Sequence, residues 1–149
     1  MKQVKKILFP MDFASNFEPL LPWVSTFAEK FGATVSVLFV TQDLSSYSTF
    51  YVPHGNIQSF QEEALAAANK KMQAVLQEHF QKLSKVEGRV EMGSPGEKIL
   101  EFAKKEKIDL IIMGAHGRKG LERAIFGSVA DRVVQGASCP VVTIHPDKA

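Results

Sequence analysis

Five short runs rich in Val, Ile, Leu and Phe recur along the chain, "VKKILFPM", "ATVSVLFV", "GRVEM", "IDLIIMG" and "PVVTIH", each bounded by breakers. Four are continuously apolar rather than alternating, so both faces of each strand must be covered. The stretches between them carry helical spacing. A chain that alternates in this way is restricted to an α/β architecture, a parallel sheet with helices on both faces. Its 149 residues suit one domain, 1–149, which would bury roughly two-thirds of the surface its unfolded form exposes.

The helical segments have readable ends. The first places Val24, Phe27, Ala28 and Phe31 on one face with Gly32 as a stop, and Pro22 requires it to start late or kink. The second repeats apolar residues at Ile57, Phe60, Ala64, Ala68, Met72, Val75, Leu76, Phe80 and Leu83, entered through a capping box from Ser59 to Glu62. The third opens with Ser94 as cap, Pro95 in the first position and Glu97 reaching back. The fourth opens near Ser128, with Asp131 as its partner. Residues 41–56 lack periodicity and read as a functional flap or a surface loop.

A formal charge of +2 is too mild to argue for nucleic acid. The basic opening resembles a signal peptide, but Pro10 and Asp12 break its apolar stretch at once, so export is not expected. No apolar run approaches the roughly 20 residues that span a bilayer. A cytoplasmic protein is expected. The single cysteine, Cys139, has no internal disulfide partner and reads as a small buried hydrophobe before Pro140. His54, His79 and His145 show no metal-ligand spacing with one another or with Cys139.

The chemistry concentrates in "GAHGRKGLERAIFGSVADRV", residues 114–133, directly after the fourth strand. In open α/β sheets ligands bind beyond the carboxyl ends of strands. Glycines there let backbone N–H groups converge on an anion, and a helix opening at Gly127 and Ser128 turns its free amides and positive dipole end toward a phosphate. No GK[ST] follows the glycines, and there is no G-x-G-x-x-G after the first strand, so the Walker A loop and the dinucleotide fingerprint drop out.

The pattern Gly114, Gly117, then Gly127-Ser128 after nine intervening residues resembles the nucleotide loop of the ATP-binding universal stress proteins. The likeness runs over essentially the whole chain, from "KKILFPMDFAS" to "SCPVVTIH". It implies a Rossmann-like five-stranded parallel sheet in the order 3-2-1-4-5, of the adenine nucleotide alpha hydrolase type, and a homodimer through the last strand. It also implies ATP at the strand ends, with ADP or AMP as alternatives and Mg²⁺ carried only through phosphates. By the same resemblance Asp12 contacts the adenosine end, Pro10 and Met11 shape the adjoining wall, and Val40 lines the base pocket. Gly114, Gly117, Gly127, Ser128 and Val129 hold ribose and phosphates, with Met113 beside them.

Each role has a plainer rival. Asp12 also suits a turn, Ser128 a helix cap, His116 a solvent-facing turn, and Arg118 and Lys119 solvated loop positions. Met92 and Gly93 are explained by the cap that follows them. No residue is placed to position a water or acceptor for phosphoryl transfer, so none is assigned as catalytic. The expected function is nucleotide-responsive regulation through a protein partner. The alternatives are a nucleotide-free dimeric interaction module and a slow ATPase or autophosphorylating protein.

Overall fold

A computed structural model describes residues 1–12, 17–41, 56–115 and 127–146, the side chains of 56 and 57 excepted. Five strands, β1 (Lys6–Pro10), β2 (Thr34–Thr41), β3 (Val86–Met92), β4 (Leu110–Gly114) and β5 (Val141–Ile144), form one parallel sheet in the order β3-β2-β1-β4-β5. The helices are α1 (Leu21–Phe31), α2 (Asn56–His79), α3 (Pro95–Lys105) and α4 (Ser128–Gly136). The expected order is therefore observed.

Two apolar layers explain the continuous runs. Ile7 and Phe9 of β1 join Val24, Ala28, Met72, Val75 and Phe80 on the α1/α2 face. The intervening Leu8 joins Ile99, Phe102, Ile111, Ala130 and Val133 on the α3/α4 face. Each of the larger side chains, Ile, Leu, Val, Phe and Met, removed from water contributes about 1.5–3 kcal/mol before entropy is counted. The edge strand β3 alternates instead, because only one of its faces packs against α2, and its residues there are half-buried. Glu87, Arg89 and Glu91 lie on its other side, where Ser36 Oγ donates to Glu87 Oε1 at 2.9 Å and Arg89 stands 6.0 Å from the Phe102 ring. On the covered face α2 comes so close that a Cβ on Gly88 would stand 2.6 Å from Met72 Cγ.

The helix ends correct several expectations. α1 neither kinks nor starts late: Pro22 is its second residue, where no N–H is needed, and a 3-10 turn at Glu18–Leu20 leads into it. Gly32 does end it, at φ 61°. α2 begins at Asn56, so Ser59 and Glu62 lie inside the helix and form no entry box. Its apolar face is used only where the sheet lies beneath it: Met72 and Val75 are buried, whereas Phe60 is 62% exposed. Ser94 does precede Pro95 at the start of α3, but no side chain caps the helix, and Glu97 binds Arg132 instead of reaching back. In α4 the cap is Gly127, with Ser128 the first helical residue, and Asp131 accepts from the Gln135 side-chain amide. Of the 41–56 stretch, Thr41 ends β2 and Asn56 starts α2. Residues 42–55 are outside the described residues.

A carboxylate ties the start of the sheet together. Asp109 Oδ2 accepts the N–H groups of Lys5 and Lys6 at 2.9 and 3.0 Å, while its own N–H donates to the Lys6 carbonyl at 2.9 Å. Nearby, burial first and the Asp109 charge second push the Cys139 thiol above its ordinary value of 9.0. Asp109→Ala is therefore expected to cost about 1–2 kcal/mol in urea denaturation, since two amides lose a charged acceptor. In the same variant the pH midpoint of Cys139 alkylation falls yet stays above that of a free thiol, because burial, the larger cause, remains.

Candidate functional site

The β1–α1–β2 connection leaves the middle of the sheet in one direction and the β3–α3–β4 connection returns on the other side. β1 and β4 therefore lie side by side where the winding reverses, the usual ligand crevice of such sheets. Ile7 pairs with Leu110 and Leu8 with Ile111; continuing that register sets Met11 beside Gly114 and Asp12 beside Ala115. On the other flank Pro10 pairs with Leu38, which brings Asp12 level with Val40.

A single backbone bond completes the arrangement. Gly127 N–H donates to the Ala115 carbonyl at 2.7 Å, returning the chain to the tip of β4, where α4 starts. No side chain caps that start, and Ser128 is exposed. The first-turn amides of α4, which have no partner within the helix, thus stand next to the ends of β1 and β4. Their dipole end favours an anion.

The expected site residues divide accordingly. Asp12, Gly114, Gly127, Ser128 and Val129 gather at this edge, with Val40 across from Asp12. Pro10 and Met11 are buried beneath it. Met113 is packed into the α3/α4 core as a floor residue. The missing side chain of Gly114 has a packing cause as well: a Cβ there would stand 3.3 Å from Leu20 Cδ1, on the α1 side. His116, Gly117, Arg118 and Lys119 lie outside the described residues.

Two features of this edge were not foreseen. Thr41, next to Val40, buries a hydroxyl that has no hydrogen-bond partner among the described residues. Arg132 Nε donates to Glu97 Oε1 at 2.7 Å, joining α4 to α3. Nothing local in the sequence pairs these two, which are 35 residues apart.

Other regions of the molecule differ from this edge. A cavity of about 240 Å³, lined by Ala28, Glu29, Gly32, Lys82 and Lys85 among others, lies at the opposite, N-terminal end of the strands. Cys139 is also at that end, and its raised pKa leaves it a thiol near neutrality, unsuited to nucleophilic attack. His79 packs edge-on against Phe17. His54 is outside the described residues, among which no three His, Cys, Asp or Glu side chains cluster as metal ligands. No helix among them is long and apolar enough to cross a membrane.

Comparison with known proteins places the geometry in a family context. Residues 3–145 match the family model described as the universal stress protein family. The chain is 34% identical to universal stress protein MJ0531 of Methanocaldococcus jannaschii, over 97% of this chain and 84% of that one. It is 29% identical to universal stress protein MJ0577 of the same organism, over 94% of each. The solved structure of MJ0577 superposes with a TM-score of 0.81 at 28% identity, covering 97% of each chain. A universal stress protein from Archaeoglobus fulgidus, solved in complex with dAMP, shares the fold at a TM-score of 0.67 and 20% identity, over 96% of this chain and 99% of that one.

Proposed function

The chain belongs to the universal stress protein family, and from that premise we propose that it binds an adenine nucleotide beyond β1 and β4 and acts as a nucleotide-responsive regulatory protein. ATP is the ligand, with ADP and AMP as the alternatives. The observation that carries this reading is the Gly127 to Ala115 bond, which sets the uncapped start of α4 beside Asp12. Gly127, Ser128 and Val129 offer amides to the phosphates, Gly114 adjoins the ribose, and Asp12 meets the nucleoside. Val40 lines the base, over a floor of Pro10, Met11 and Met113. His116, Gly117 and Arg118 complete the loop, and Mg²⁺ enters only on the phosphates. The fold relative that binds dAMP supports a site for this ligand class. Regulation requires the nucleotide to bind two conformations unequally, so that occupancy alters a surface offered to a protein partner.

Mass spectrometry of the protein as purified is expected to find an adenine nucleotide. In titration, ATP binds in preference to GTP, and Gly127→Val weakens ATP about tenfold or more by obstructing the anion amides. Wild-type protein with no measurable affinity for ATP, ADP or AMP would remove the reading in favour of the nucleotide-free module.

We also propose a homodimer through β5. Pro140 and Ile144 turn their carbonyls toward β4, so by alternation the backbone groups of Val141 and Thr143 point outward from the sheet edge. All four β5 side chains are half-buried, and Val134 beside them on α4 is exposed. On the other layer, α1 turns Ala28 and Glu29 toward the segment after α2, which leaves Trp23 and Phe31, 46% and 49% exposed, on the flank nearer β5. Antiparallel pairing of two such edges about a twofold axis would cover them. Thr143→Pro removes one outward N–H and spares the β4 ladder. Sedimentation should then find a monomer with an unchanged far-ultraviolet spectrum, against a wild-type dimer.

A further inference from the structure

The Glu97–Arg132 contact joins the first turn of α3 to α4, one turn behind the helix start assigned above to the phosphates. α3 rests on β2 and α4 beside β5, so the groove between the two helices runs over β1 and β4. Both helices begin at the carboxyl edge of the sheet, and the ion pair bridges the groove near its mouth. The aliphatic stem of Arg132 lies against the first turn of α3, close enough that a Cβ on Gly96 would stand 2.9 Å from Arg132 Cγ. Its guanidinium donates from Nε to Glu97 Oε1 at 2.7 Å.

Arg132 follows Ser128 by four residues, so the two share one face of α4, about 6 Å apart along the axis. That rise is within the reach of an arginine side chain. Both partners of the pair are about half exposed, 49% for Arg132 and 58% for Glu97, and exposed pairs of this kind are weak. A terminal phosphate carries more charge than a carboxylate and accepts a bidentate guanidinium contact. Glu97, once released, stays in the first turn of α3, where the helix dipole favours its charge.

We propose that Arg132 reads the length of the phosphate chain: it leaves Glu97 for the terminal phosphate of a nucleoside di- or triphosphate, and Glu97 retains it when a monophosphate is bound. The inference rests on the nucleotide reading above. It makes Arg132 a specificity residue and Glu97 its competitor.

Calorimetric titration of wild type, Arg132→Gln and Glu97→Gln with ATP and with AMP tests this. Arg132→Gln is expected to lower ATP affinity about tenfold, the usual worth of a hydrogen bond to a charged group, with AMP unchanged. Glu97→Gln frees the guanidinium and raises ATP affinity about threefold, the scale of a weak exposed pair, again with AMP unchanged. Equal changes for the two nucleotides, or none, in both variants would overturn the proposal and leave the pair a link between helices. If Arg132→Gln unfolds, Glu97→Gln alone decides by the same ratio. Failure of the nucleotide reading itself is distinct, since it appears as absent binding already in the wild-type titration.

Discussion

The site depends on a bond between two backbone groups, the Gly127 N–H and the Ala115 carbonyl, 2.7 Å apart. Twelve positions separate these residues in sequence, yet the bond brings the start of α4 back to the tip of β4. Core packing of Ala130 and Val133 holds the body of α4 on the sheet, and this bond fixes its first turn and open amides near Asp12, which belongs to a different part of the chain. A main-chain bond is also insensitive to which side chains surround it, provided the cap position itself stays small. Gly127 meets that condition, and its extended backbone, at φ −63° and ψ 157°, leaves the first turn of α4 open rather than folded against its own cap.

Most of the architecture was legible in the sequence because burial on two faces leaves a direct imprint. Ile7, Leu8 and Phe9 point to alternating layers, yet all are buried, so β1 reads as an unbroken apolar run. The strand order followed from the family resemblance, since no local pattern states which strand lies beside β1. Helix starts were less legible. Ser59 with Glu62, Ser94 with Glu97, and Ser128 with Asp131 all have capping-box spacing, and none forms the box. In two cases a tertiary or neighbouring partner outcompetes a local bond of modest worth, Arg132 taking Glu97 and Gln135 taking Asp131; in the third α2 extends past its apparent cap to Asn56.

The candidate site was legible in part for the same reason. Gly127 and Ser128 announce an anion-binding helix start through local chemistry, and Asp12 ends an apolar strand in plain view. Gly114 was read as holding ribose and phosphates with Met113 beside it, but their packing also answers to the core: Met113 is buried under α3 and α4, and Gly114 makes room for Leu20. The Glu97–Arg132 bridge was not legible at all. It depends on the distance between two helices, which the order of strands fixes and residue spacing does not.

The two edges of the sheet are finished in opposite ways. β3 carries Glu87, Arg89 and Glu91 on its partly covered face, and Arg89 lies 3.8 Å from Glu106. Charges placed so would have to be desolvated by any strand that paired with β3, which protects that edge against association. β5 has no such protection: its residues are Val141, Val142, Thr143 and Ile144, with exposed Val134 on the α4 that packs against it. An edge both apolar and unguarded favours association with a second copy. It is also the strand whose Ile144 carbonyl holds the N–H of Ala115 at 2.8 Å, the same residue whose carbonyl anchors α4. The β5 pairing and the nucleotide site proposed above would therefore act on the same short stretch of backbone, which would give a bound nucleotide a physical route to the surface that a partner would meet.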